Sequence, residues 1–188
     1  MAAGVTRPRQ AASALVVALL ALSLGGCGLG ASGSGAVVTF PPGPAGPSAS
    51  VSNAVSLTRQ EIASALAPYR LQLDNAQRPF RPSESRLTAD APRAVYQVVL
   101  PEDLDGGYIV VYEFPDAASA VNAGNDLAGY LGTGAGRVAY PLDARHSIRQ
   151  VGTTLIFYTW SPSTSPDPGS EKVAEALATL GIGFAPPR

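Results

Sequence analysis

One cysteine, one histidine, one tryptophan and one lysine occur in 188 residues, and these shortages remove whole classes of chemistry. A lone cysteine cannot form a disulfide within the chain, so stability must come from a packed core. With one histidine beside it, none of the usual His/Cys zinc sets can be assembled, and no metal is expected. Lys172 stands against twelve arginines, which together with abundant Ala, Gly and Pro reads as GC-rich composition rather than a chosen guanidinium chemistry. A basic excess is also lacking. The formal charge is −1, and nucleic-acid binding, which wants a basic face, is not expected. No G-x-S-x-G elbow is present to mark a serine nucleophile. Gly28-Leu29-Gly30-Ala31-Ser32-Gly33 matches G-x-G-x-x-G in letters, but no strand precedes it, so no dinucleotide or other cofactor is expected.

What is present begins with an export signal. Arg7 and Arg9 form a short basic start, and Ala11 to Leu24 is an uncharged apolar run. A basic start, such a run and small residues at its end describe a secretory signal. The run falls short of the about 20 apolar residues that a membrane span requires. It closes on Leu24-Gly25-Gly26-Cys27, which holds the only cysteine. These four residues resemble the lipobox of bacterial lipoproteins, an aliphatic residue, two small residues and a cysteine. The resemblance implies that the Cys27 thiol takes a diacylglyceryl group. It further implies cleavage between Gly26 and Cys27 and acylation, by palmitate or a similar chain, of the new amino terminus. Two or three acyl chains hold a protein on a bilayer where one does not, at about 0.8 kcal/mol per buried CH₂. The expected address is the extracytoplasmic face of the cell membrane, or the outer membrane in a two-membrane cell. The partner implied by Cys27 is thus the membrane itself.

Three segments follow from this reading: a signal peptide over 1–26, a lipidated Cys27 with a flexible Gly/Pro/Ser-rich tether over 27–55, and one domain over 56–185. Arg7 and Arg9 leave with the signal and no acid does. Eleven bases then face 14 acids, a net charge of −3. The tether composition cannot bury enough apolar surface to order itself, and coil scaling gives it a reach of about 30 Å.

The domain reads as helix, hairpin, helix, hairpin, helix. Thr58 and Glu61 form a capping box, with Leu57 and Ile62 at the staple positions, and Pro68 ends the first helix. Leu71 and Leu73 suit a short edge strand within an irregular connection over 70–93. Ala94 to Leu100 and Tyr108 to Phe114 are β-branched and aromatic strands. Asp116 caps a helix over 117–131 with Val121, Leu127, Ala128 and Leu131 buried. Residues 137–140 read as a strand. His146 to Val151 and Thr153 to Trp160 form a second hairpin turning at Gly152. Asp167 or Ser170 caps a last helix with Val173, Ala176, Leu177 and Leu180 inside, and Gly181 stops it. The predicted class is α+β: an antiparallel sheet of two hairpins with helices packed on it in two layers. The segments LTRQEIASAL, IVVYEF and HSIRQVGTTLIFY resemble small bacterial lipoproteins of this layout, a likeness that implies architecture and no activity.

The candidate chemistry is sparse. Glu102, Asp103 and Asp105 before Gly106-Gly107 hint at calcium, but the twelfth position counted from Asp103 is Phe114 rather than glutamate. The aromatic residues offer more. On the second hairpin, Tyr158 and Trp160 share one side of their strand. With His146 and Arg149 they suggest a binding surface that mixes stacking with hydrogen bonding. The function expected is therefore a membrane-anchored binding or scaffolding module of the cell envelope, facing an envelope protein or glycan. The rival expectation is an envelope enzyme that works without metal or cofactor.

Overall fold

The computed structural model describes residues 51–187. The signal, the lipobox and most of the tether lie outside the described residues. The elements run α1 (Asn53–Leu66), β1 (Leu73–Asn75), α2 (Arg86–Ala89), β2 (Arg93–Val98), β3 (Tyr108–Glu113), α3 (Ala117–Gly132), α4 (Gly134–Ala139), β4 (Arg145–Val151), β5 (Thr154–Trp160), α5 (Gly169–Ala178) and β6 (Ile182–Phe184). All strands join one antiparallel sheet in the order β1-β2-β3-β5-β4-β6. The two predicted hairpins, β2–β3 and β4–β5, are its centre, and the class is α+β as expected. No described helix is long and apolar enough to cross a membrane.

The layering is not the two-layer arrangement expected. Tyr108 to Tyr112 and Thr154 to Tyr158 are buried at every position, so these two strands present no wet face. Unbroken apolar runs of this kind mark strands covered on both sides. Register assigns the faces: Ile109 pairs with Tyr158 and Val111 with Ile156, whereas Val110 pairs with Phe157 and Tyr112 with Leu155. The first set packs with Ile62 and Leu66 of α1 and with Val173, Ala176 and Leu177 of α5. The second packs with Ala123, Leu127 and Leu131 of α3. Helices therefore flank the sheet on both sides. Each fully buried Val, Leu, Ile or Phe contributes about 1.5–3 kcal/mol against exposure.

Local signals held unevenly. α1 begins inside the stretch read as tether, because Ser52, rather than Thr58, caps it by accepting the Val55 N–H at 3.1 Å. The Thr58 hydroxyl has another use. It is buried, 2.8 Å from the Thr154 hydroxyl of β5, and Leu57 is exposed. Pro68 does not stop the chain abruptly; it sits in a 3₁₀ turn, Ala67–Tyr69, that ends at Arg70 with φ 59°. Asp116 caps α3 as expected, accepting the Ser119 N–H at 2.7 Å. Val121 is only half-buried, and Ala120, Ala123 and Gly124 line the inner side with Leu127, Ala128 and Leu131. Residues 137–140 belong to and follow α4 rather than forming a strand. α4 packs so closely on the end of α3 that a Cβ at Gly136 would lie 2.2 Å from the Tyr130 carbonyl oxygen. β6 replaces the expected end of the fold and pairs with β4.

A strap of irregular chain completes the cover on the α3 side. Phe80 stacks on Tyr108 with centroids 4.4 Å apart. Ser83 meets the Tyr130 hydroxyl at 2.6 Å, and its carbonyl accepts from the Tyr140 hydroxyl at 2.5 Å. Glu84, with its side chain only 4% exposed, accepts from Arg81 Nε (2.8 Å), Arg93 Nη1 (2.5 Å) and Tyr112 Oη (2.6 Å). Burial pushes the Glu84 carboxyl up. The three donors outweigh it and hold the group below the ordinary 4.5. The buried charge is tolerated because its lone pairs are filled. Glu84→Gln keeps the shape but removes the charge that Arg93 needs, so the variant should lose about 3 kcal/mol in urea unfolding. Unchanged stability would show that the strap is held by its aromatic contacts alone.

Candidate functional site

The free end of the second hairpin forms a groove of about 380 Å³, lined by His146, Arg149 and Trp160 from the strands, Ala174 and Ala178 from α5, and Phe184 from β6. Three of the four residues expected at a binding surface thus meet at one place. Trp160 is half-buried, the last residue of β5, paired with Arg145 at the hairpin's open end. It lies over Tyr158 at 5.2 Å and 16°.

Tyr158 does not belong to that surface. It is 1% exposed, lies under α5, and donates its hydroxyl to the Ser170 carbonyl at 3.2 Å. Burial pushes its phenol up, so it stays protonated. It sits one step deeper along β5 than the groove, opposite Ile109 in the sheet centre, and its ring serves as the floor on which Trp160 is set.

Arg149 and His146 approach from opposite faces of β4. Arg149 donates Nε to the Leu180 carbonyl (2.6 Å) and Nη2 to that of Gly181 (3.0 Å), closing the turn between α5 and β6. These bonds satisfy carbonyls of the turn just past the helix end. Burial lowers its pKa, but an arginine remains charged, and it has no salt bridge among the described residues. His146 sits with Nδ1 3.0 Å from the Thr159 hydroxyl, edge-on to Tyr140 at 5.0 Å and near-parallel to Phe157 at 6.0 Å. It also borders a second hollow of about 530 Å³ under Tyr140, Leu131 and Pro186. Its environment is aromatic, and burial alone holds its pKa below the ordinary 6.5, so it is neutral at pH 7.

Chemically, the groove supplies an indole plane, a fixed cation, and an imidazole that gives or takes one hydrogen bond. Nδ1 faces a hydroxyl instead of a carboxylate, so the orienting acid of a Ser-His-Asp arrangement is missing from that side. Several loop carboxylates are committed to local bonds. Asp143 accepts from Ser161 Oγ (2.6 Å) and from Ser163 N (2.8 Å), bonds that pull its pKa down and staple the chain after β5. Of the acidic turn, Asp105 pairs with Arg78 and Asp103 accepts from Ser165, so the two diverge. Asp167 takes the Gly169 N–H at the start of α5 and the Glu102 N–H across the loop, both at 2.7 Å. Among the described residues no three His, Cys, Asp or Glu side chains come together as a metal cluster.

Sequence reasoning missed the Glu84 cluster and the contribution of β6. Glu84 carries no periodic signal. Only the density of arginines around it, Arg81, Arg86 and Arg93, hinted at a charge needing company. No family model, no curated protein and no solved structure matches this chain.

The half-buried imidazole makes stability depend on pH with a defined sign. The folded chain binds its proton less well than the unfolded chain does, so protonation favours unfolding. His146 contributes stability above 6.5 that is lost as pH falls. The melting temperature should decline below that value, and His146→Gln should flatten the decline. A profile identical in the two proteins would mean that the ring is solvated.

Proposed function

We propose that this chain is a lipid-anchored lipoprotein on the extracytoplasmic face of the membrane, whose α+β domain acts as a binding or scaffolding module of the cell envelope. The anchoring half of the reading is supported by Leu24-Gly25-Gly26-Cys27 at the end of an uncharged run behind two arginines. The observation that carries the binding half is the groove at the open end of the β4–β5 hairpin, where Trp160, Arg149 and His146 meet. Tryptophan and arginine are both enriched at recognition surfaces, since each buries a large area and still satisfies polar partners. The ligand classes that suit them are an envelope polypeptide and an envelope glycan.

Two measurements address the two halves. In bacterial cells, Cys27→Ser should yield an uncleaved, unacylated precursor, and the wild-type N-terminal peptide should carry the mass of a diacylglyceryl-cysteine. A free Cys27 thiol in the wild-type protein would remove the anchor. For the groove, Trp160 is the sole tryptophan, so intrinsic emission reports on it directly. Titration with envelope fractions should shift that emission, and Trp160→Leu should lose partners captured by crosslinking in living cells. Retention of every crosslinked partner in that variant would move recognition elsewhere.

A further inference from the structure

The groove has a feature that side chains alone do not explain. β4 is paired along its whole length on the β5 side, from Arg145 to Val151. On its other side β6 covers only Ile148, Arg149 and Gln150. Residues 145–147 therefore have an open outer edge, and in an antiparallel strand alternate residues turn their N–H and C=O groups to that side. The chain that would close this edge is diverted. Past Phe184, the last residue paired with β4, the tail runs to the end of α3, where a Cβ at Gly132 would be 2.4 Å from Pro187. Pro186 and Pro187 have no N–H to offer a ladder, so β6 cannot extend down β4.

Resting on the groove reading above, we propose that residues 145–147 of β4 accept an extended segment of a partner polypeptide as an added strand in line with β6, with an acidic side chain of that segment meeting Arg149. Three observations converge on this occupant. The open edge supplies main-chain donors and acceptors, which bind any extended backbone. Trp160, Ala174 and Ala178 form an apolar wall on one face of that edge for a side chain of the incoming strand. Arg149 adds the charge: two of its nitrogens are used on Leu180 and Gly181, Nη1 lies over Gly183 of β6, and among the described residues Nη1 has no acceptor and no carboxylate pairs with the group. The ion pair at the rim, Arg145 with Glu171, is exposed and readily opened. An acidic segment is thereby preferred over a basic one, and a saccharide, lacking a backbone ladder, would use only the wall.

The test uses the full-length protein in detergent with synthetic peptides. The probes are acetylated, amidated hexapeptides of alternating Val and Thr carrying one central Glu, the same peptides with Lys in place of Glu, and the Glu peptides N-methylated at alternate residues. Amide hydrogen exchange at His146 and Ser147 and Trp160 emission are read together. The Glu peptides should slow exchange at one or both amides by about tenfold at saturation and bind about tenfold more tightly than the Lys peptides. N-methylation in one of the two registers should abolish the protection. These changes lie in the peptide, so no folding defect of the protein enters. Binding that ignores N-methylation, or peptides that leave both amides unprotected, would overturn strand addition. If envelope fractions still shift Trp160 emission in that case, the groove reading stands and only the strand is lost; if they do not, both fall. Protection that grows with protein concentration in the absence of peptide would overturn the proposal in favour of a second copy on the edge.

Discussion

The pairing of β3 with β5 is the contact on which the rest depends. Each belongs to its own hairpin, and each hairpin closes over a short connection, so each forms locally. Neither hairpin alone has anywhere to put Tyr112, Phe157 or Tyr158, because the two strands are apolar on both faces. Only the register from Ile109 opposite Tyr158 to Glu113 opposite Thr154 aligns those side chains into two continuous sheets of apolar surface. A slip of one residue would exchange the two sets and confront each helix with the wrong partners. Both surfaces then have to be covered, which is why α1 and α5 lie on one side and α3 with the Phe80–Glu84 strap lies on the other.

That double cover decides where recognition can occur. The sheet centre is closed on both faces, so Tyr158, expected at the binding surface, has no exposed face to offer. What remains open is the perimeter. β1 and β6 are three-residue edge strands, and a short edge strand leaves part of its neighbour bare. On the β1 side the bare part is short, since the Ala76 N–H continues the ladder to the Val95 carbonyl. On the β6 side prolines turn the chain away, and the end of β4 stays open beside the half-buried Trp160. Arg149, by tying the α5–β6 turn, positions both walls of that groove at once.

The hairpins, the Asp116 cap, the Gly152 turn and the Val173, Ala176 and Leu177 stripe of α5 were legible because each is a local pattern whose cause lies within a few residues, whereas Leu180 falls past the helix and is half-buried. Gly152 adopts φ 55°, and the sequence offered a glycine there. Thr58 and Glu61 also made a local pattern, yet the hydroxyl was claimed by Thr154 from across the core. A box motif cannot reveal that its threonine has a competing partner 96 residues away. The strap was illegible for a related reason. Glu84 is buried only because Tyr112, Arg81 and Arg93 reach it together, and nothing in a Pro/Arg-rich stretch states that convergence. The layer count was readable and misread: the unbroken runs Tyr108 to Tyr112 and Leu155 to Tyr158 are the signature of strands covered on two faces, whereas hairpins alternating with helices suggested only two layers.

An open edge beside an aromatic side chain is a hazard as well as a site, since unpaired strands pair with copies of themselves. The hazard here is limited by length and by charge. Three uncovered residues offer too few main-chain bonds to hold two domains together unaided, because each hydrogen bond nets only about 1 kcal/mol. Two antiparallel copies would also bring Arg145 and Arg149 of each into the same small space, and like charges set against one another are destabilising. The cation that disfavours a second copy is the same one that would welcome a carboxylate. If the chain is held on a membrane as proposed, where confinement raises its local concentration, that repulsion matters more than it would in dilute solution. Arg149 then has two consequences from one position: it closes the α5–β6 turn, and it biases the open edge toward a foreign, acidic strand over its own.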